Sequence, residues 1–222
     1  PLHALMRDPM NSVLDMQALK AATVNTVPFP FFKVERSIRQ DVLDRVIGDF
    51  PDIGDGGSFN VDDVSVNPDF KALLDSIDSP EFRHVICEKF DVKVMDLPMM
   101  MTLRGYSRQK DGRIHTDSKT KLVTILIYLN ESWDAATGRL RILNNSQDME
   151  DYVDEIIPGP GSLVAFKVTD NCWHGYPSFE GTRRSIQINF LTSEAAGNKH
   201  RFFHKLSAKL KNWLRKRKVK AV

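Results

Sequence analysis

The sequence predicts an α+β fold, with helices first and then an antiparallel β-sandwich or barrel of jelly-roll type. Two observations carry this. Between about residues 37 and 90, three segments read as helices, the first with its apolar residues on one face. From about residue 98 the pattern becomes short β-like runs punctuated by Gly138, Gly159-Pro160-Gly161 and Gly181. The composition, 41% hydrophobic and 27% charged over 222 residues, suits one substantial domain plus an appendage.

Taken in order, residues 1–27 are weakly patterned, with a short helix expected over 11–22. Pro28-Phe29-Pro30-Phe31-Phe32-Lys33-Val34 is an extended lead-in, because each Pro pushes its predecessor towards β geometry. Ser37 is read as the N-cap of a helix that places Ile38, Val42, Leu43, Val46 and Ile47 on one face. Gly54-Asp55-Gly56-Gly57-Ser58 is a loop, and helices follow over 69–77 and 80–90, the second capped by Ser79 with Pro80 at its first position. Strands are expected at 99–106, 122–129, 140–143, 155–157, 162–166, 173–176 and 183–191.

The organisation that follows is a lead segment 1–27, a body 28–198 that is helical to 97 and β-rich from 98, and a tail 199–222. That tail carries ten Lys or Arg and no acid, whereas residues 1–198 carry 21 basic and 29 acidic side chains. The longest apolar run, 122–129, is far short of a membrane span. No charged start leads into an apolar core like that of a signal peptide, although the chain begins without Met. Cys87 and Cys172 have no metal-type spacing; a single disulfide is one option, and two reduced thiols in a cytoplasmic protein is the expectation.

The chemistry starts at His115-Thr116-Asp117. In extended backbone, residues two apart share a face, so imidazole and carboxylate converge on one point. With a second imidazole, that set suits Fe(II) and leaves coordination positions open. A second candidate histidine stands 57 residues after Asp117, in Trp173-His174-Gly175. Nine residues beyond it, alternation places Arg183, Ser185, Gln187 and Asn189 on one face and Arg184, Ile186, Ile188 and Phe190 on the other. An Arg fork with a hydroxyl two residues on is a carboxylate grip, and Arg184 is its rival on the wrong face.

These residues, in this order, resemble the prolyl-hydroxylase-like branch of the 2-oxoglutarate/Fe(II) dioxygenases. The resemblance runs over residues 103–191 and takes in Tyr106, His115-x-Asp117, Val123-Thr124, Tyr128-Leu129-Asn130, Trp133-Asp134, Gly138-x-Leu140-Arg141-Ile142, Gly161, Phe166, His174 and Arg183-x-Ser185. Residues 28–51 are similar to the lead-in of bacterial members. The resemblance implies a double-stranded β-helix supported by N-terminal helices. It makes His115, Asp117 and His174 iron ligands, and gives Arg183 and Ser185 the far carboxylate of 2-oxoglutarate. Tyr106 and Tyr128 would offer hydroxyls to that co-substrate, and Thr124, Leu126 and Leu140 would line its pocket. Fe(II), 2-oxoglutarate and O2 are the expected cofactor set, with ascorbate as a stimulant. The reaction implied is decarboxylation to succinate coupled to hydroxylation, or a related oxidation, of a substrate.

The chain departs from the family where Arg139 follows Gly138 in place of a second Gly. Arg139 is read as a solvated edge residue, with contact to an anionic substrate as the alternative. Asp111-Gly112-Arg113 precedes the metal histidine where substrates are often met, though surface loop is the plainer reading. Cys172 is read as a small buried hydrophobe. In the tail, Phe202, Phe203, Leu206, Leu210, Trp213 and Leu214 recur at helical steps among the basic residues, predicting an amphipathic cationic helix. It would lie on an anionic membrane surface, dock on the body or a second subunit, or, less favoured, bind nucleic acid. The substrate is left open between a protein side chain, a sugar or lipid precursor and a small metabolite. Two other classes remain: a non-catalytic cupin-like metal-binding module, and an interaction protein tethered by its tail.

Overall fold

The structure is a computed structural model that describes residues 12–193. Four helices, α1 (Met16–Ala21), α2 (Gln40–Gly48), α3 (Pro68–Ile77) and α4 (Pro80–Phe90), precede most of the strands. The strands are β1 (Phe31–Val34), β2 (Phe59–Asn60), β3 (Met99–Ser107), β4 (Lys121–Tyr128), β5 (Leu140–Leu143), β6 (Tyr152–Ile156), β7 (Leu163–Lys167), β8 (His174–Gly175) and β9 (Gly181–Leu191). They form a six-stranded sheet in the order β1-β7-β4-β9-β3-β2 and a three-stranded sheet in the order β6-β5-β8. Every strand pairing is antiparallel.

Period-two alternation sorts the large sheet into two faces. Val123, Ile125 and Ile127 of β4, Leu163 and Ala165 of β7, and Ile186, Ile188 and Phe190 of β9 pack with the helices in one core. Their alternates, including Tyr128, Val164 and Phe166, join Leu140, Ile142 and Ile156 of the small sheet in a second core. The polar residues that interrupt this inner layer, Thr124, Arg183 and Ser185, are themselves buried. Buried polar groups on an inner sheet face are the place to look for function.

Local signals account for most helix ends. Ser79 Oγ accepts from Phe82 N at 3.2 Å, with Pro80 at the first helical position, as expected. The first helix is shorter than its predicted span because Asp15, whose carboxylate accepts from Ala18 N, caps it at Met16. Ser37 is not a cap: α2 starts at Gln40, and the buried Ser37 hydroxyl donates instead to Gly161 O at 2.8 Å. Gly161, at φ +74°, also receives the Ser37 amide there, so a serine that reads locally as helix punctuation is a long-range tie. The predicted strand at 155–157 lies earlier, at Tyr152–Ile156, since its pairing with β5 sets its ends. The run at 173–176 shortens to His174–Gly175. Both cysteines are free, as expected, and Cys172 is buried. The expected basic helix over 199–222 lies outside the described residues, and no helix among those described is long and apolar enough to cross a membrane.

Candidate active site

His115 lies between β3 and β4, and His174 opens β8; reciprocal backbone hydrogen bonds of 3.0 Å join them in an isolated antiparallel bridge. Their rings stand 4.3 Å apart between centroids, and Phe166 packs 4.7 Å from His174. Nδ1 of His115 meets the Arg113 carbonyl and Nδ1 of His174 meets the Cys172 carbonyl, each at 2.8 Å. A carbonyl only accepts, so both protons sit on Nδ1 and both Nε2 lone pairs are left for a ligand. This is the outer-shell arrangement that orients metal-binding histidines.

The Asp117 carboxylate accepts from Lys121 Nζ at 2.9 Å on one oxygen and from the Thr124 hydroxyl at 2.5 Å on the other. Burial acts to raise its pKa, but Lys121, His174 and the Thr124 bond outweigh burial and hold it below the usual carboxylate range. One ligand-type atom from each of His115, Asp117 and His174 falls within 4.8 Å of the others. Two imidazoles and one carboxylate at that separation suit a divalent metal of intermediate softness.

Burial, reinforced by neighbouring His115, lowers the His174 pKa from 6.5 to about 4. The unfolded chain therefore takes up this proton first, so the stability tied to neutral His174 is full above pH 6.5 and falls as pH drops towards 4. The metal-free protein should lose up to about 3 kcal/mol across that window. Thermal melts from pH 7 to 4 check this, and a His174→Phe variant should show a shallower loss. An equal loss in both proteins would remove His174 as the cause.

A cavity of about 280 Å³ opens on this cluster, and its lining includes Thr124, Leu126 and Leu140 as predicted, together with Arg183 and Ser185. The buried Arg183 donates from Nε to Gly138 O at 2.9 Å and from Nη2 to the Tyr128 hydroxyl at 3.3 Å. Its guanidinium also lies 4.0 Å from the centre of the Tyr176 ring. Gly138 is at φ +77°, and a Cβ there would come within 2.7 Å of Trp133, so glycine is required to present that carbonyl. The buried Ser185 hydroxyl, on the same face as Arg183, has no hydrogen-bond partner. Arg184 points the other way, over Phe50 and 4.0 Å from Glu131.

Tyr106 is not among the residues that line the cavity. The β3–β9 register shifts between Arg104 and Tyr106, with the extra residue on β9, and Arg104 is the β3 residue that lines the cavity. Tyr128 reaches the site through its bond to Arg183, not as part of the cavity lining. Arg139 bonds to Ala135 O and Glu155, in keeping with an edge role. The loop Asp111-Gly112-Arg113 does line the cavity. Sequence reasoning missed Tyr176 and Arg104. Tyr176 lies two residues past His174 and so shares its face; Arg104 is a lone cation in an otherwise uncharged strand run.

Residues 101–191 match the family described as the 2OG-Fe(II) oxygenase superfamily. Among solved structures the chain is similar to a Pseudomonas putida prolyl-4-hydroxylase, 17% identical at a TM-score of 0.51, over 86% of this chain and 98% of that one. It is also similar to the viral collagen prolyl hydroxylase of Paramecium Bursaria Chlorella virus-1, in a 2OG complex, 13% identical at a TM-score of 0.51, over 73% and 96% of the two chains. No curated protein matches it in sequence. Residues 101–191 thus match that family in sequence, and the chain is prolyl-hydroxylase-like in fold across most of its length.

Proposed function

We propose that the protein is a 2-oxoglutarate- and Fe(II)-dependent hydroxylase. In this reading its paired sheets are a double-stranded β-helix, and the oxygenase unit spans residues 28–198. His115, Asp117 and His174 hold the iron, and Arg183 with Ser185 holds the far carboxylate of 2-oxoglutarate. The observation that carries this is the unpartnered, buried Ser185 hydroxyl beside Arg183, in the same cavity as two histidines with free Nε2 atoms. A buried hydroxyl without a partner is costly, and a carboxylate placed between it and Arg183 removes that cost.

When bound, the metal supplies the oxygen chemistry that couples loss of CO2 from 2-oxoglutarate to oxidation of the substrate. The chain's own part is positional. Arg183 Nη1 donates to nothing among the described residues, while Nε and Nη2 are fixed by Gly138 and Tyr128, so the guanidinium presents a preset donor. The Tyr128 and Tyr176 rings flank that cation and keep water from it, which strengthens its attraction for a carboxylate. His174 stays neutral through the physiological range and needs no deprotonation to bind metal. Lys121 and Thr124 fix the orientation of the Asp117 carboxylate.

Succinate formation from 2-oxoglutarate with Fe(II) and ascorbate, across a panel of candidate substrates, tests the reading. Succinate should appear, and its rate should rise with an accepted substrate. Uptake of metal and 2-oxoglutarate with no succinate from any member would favour a non-catalytic binding module.

A further inference from the structure

We infer that the substrate oxidised here is anionic, its carboxylate or phosphate held by Arg104, with Lys110 and Arg113 assisting at the rim. This rests on the oxygenase reading above and names its substrate class. Arg104 stands on β3 in register with Ser185 of β9 and lines the same cavity as Arg183. It is half-buried, and among the described residues its guanidinium has no hydrogen-bond or ion-pair partner. Its charge is felt both by the Tyr128 hydroxyl beside Arg183 and by the Asp111 carboxyl in the rim loop, so it lies between floor and mouth.

The charges around it do not balance. Lys110 and Arg113 also line the cavity, and neither side chain has an acidic partner among the described residues. Asp111, the lining's one carboxylate, is already committed: it accepts from Arg108 at Nε (3.1 Å), Nη2 (3.0 Å) and the backbone N (2.9 Å). Of the two carboxylates of 2-oxoglutarate, Arg183 matches one and the metal end takes the other. Arg104, Lys110 and Arg113 then remain as three cations with no anion. Lys110 and Arg113 are exposed, and alone they would be ordinary solvated residues. Arg104 differs, because it reaches the cavity from a strand and a neutral substrate would cover it unpaired, at a desolvation cost. An anion removes that cost and is drawn in by the same field.

The test uses protein loaded with Mn(II) and 2-oxoglutarate without O2, titrated calorimetrically at low ionic strength with inorganic phosphate and separately with acetate. At least one of the two should bind. Arg104→Gln should weaken that binding tenfold or more, as loss of a charge-assisted hydrogen bond implies. Arg104→Lys should restore part of it, and the double change Lys110→Gln with Arg113→Gln should weaken it less. Whichever anion depends on Arg104 identifies the group as phosphate or carboxylate. Binding of neither, or equal binding to wild type and Arg104→Gln, overturns the inference. So does an Arg104→Gln variant that binds both anions normally but needs more 2-oxoglutarate, since Arg104 would then belong to the co-substrate grip. Should Arg104→Gln fail to fold, undiminished anion binding in the rim double variant and in Arg104→Lys would count against the proposal. A wild type that takes up neither Mn(II) nor 2-oxoglutarate instead overturns the oxygenase reading, which separates the two failures.

Discussion

His174→Ala is expected to reduce affinity for Mn(II) or Fe(II) by more than 100-fold and to abolish succinate formation. Disturbing only the groups behind a metal ligand typically costs ~10–100-fold, so removal of a ligand itself should exceed that range. The substitution deletes one of the two Nε2 donors and leaves the Cys172 carbonyl that oriented it without its partner. His115 and Asp117 alone are a weak bidentate site. His84→Ala is the matched control: this exposed histidine on α4 pairs, among the described residues, with Glu88 at the surface, and its loss should leave metal affinity alone. Calorimetric titration of the metal-stripped proteins measures both. Wild-type affinity in His174→Ala would remove the proposed metal centre.

The second large effect is expected at Arg183. Arg183→Ala should raise the 2-oxoglutarate concentration for half-maximal succinate formation roughly 100-fold or more, because a buried charge partner is lost. Metal affinity should change far less, since Arg183 bonds to Gly138 and Tyr128 and to none of the three metal-type donors. Arg184→Ala should shift the requirement only a few-fold, as its side chain lies over Phe50 on the other face. Protection of the melting temperature by 2-oxoglutarate gives the same comparison without turnover. If Arg184 proved the sensitive position, the co-substrate would have to approach from the helix-covered face, contrary to the β4–β9 register that pairs Tyr128 with Ser185.

The sequence yielded most where one short-range rule decided the outcome. Alternation placed Val123, Ile125 and Ile127 against the helices and Arg183 with Ser185 towards the cavity, because one face of each strand is buried by helices and the other by the small sheet. His115-x-Asp117 was legible for the same reason: spacing alone puts both side chains on one side of an extended segment. Reading failed where a contact distant in sequence sets the geometry. That Tyr106 does not line the cavity was not legible, because the extra residue that shifts the register there lies on β9 and leaves no mark within β3. Ser37 was misread because its partner, Gly161, lies 124 residues away. Arg104 went unnoticed since its significance lies in the missing acid, which only the assembled cavity reveals.

The reciprocal bonds between His115 and His174 make the two residues a single mechanical unit. Neither backbone can leave its place without breaking the other's hydrogen bonds, although the residues are far apart along the chain. On the proposed reading, the half-site that each imidazole represents would be assembled by folding and not by the metal. An incoming ion would meet donors already close together, so little ordering entropy would be charged against binding. The same coupling shapes departure. Release by local unfolding would require both segments to open together, so the easier route for ion exchange runs through the cavity mouth, past Lys110 and Arg113. A bound anionic substrate at that mouth would then act as a stopper, slowing loss of the metal while it waits to be oxidised.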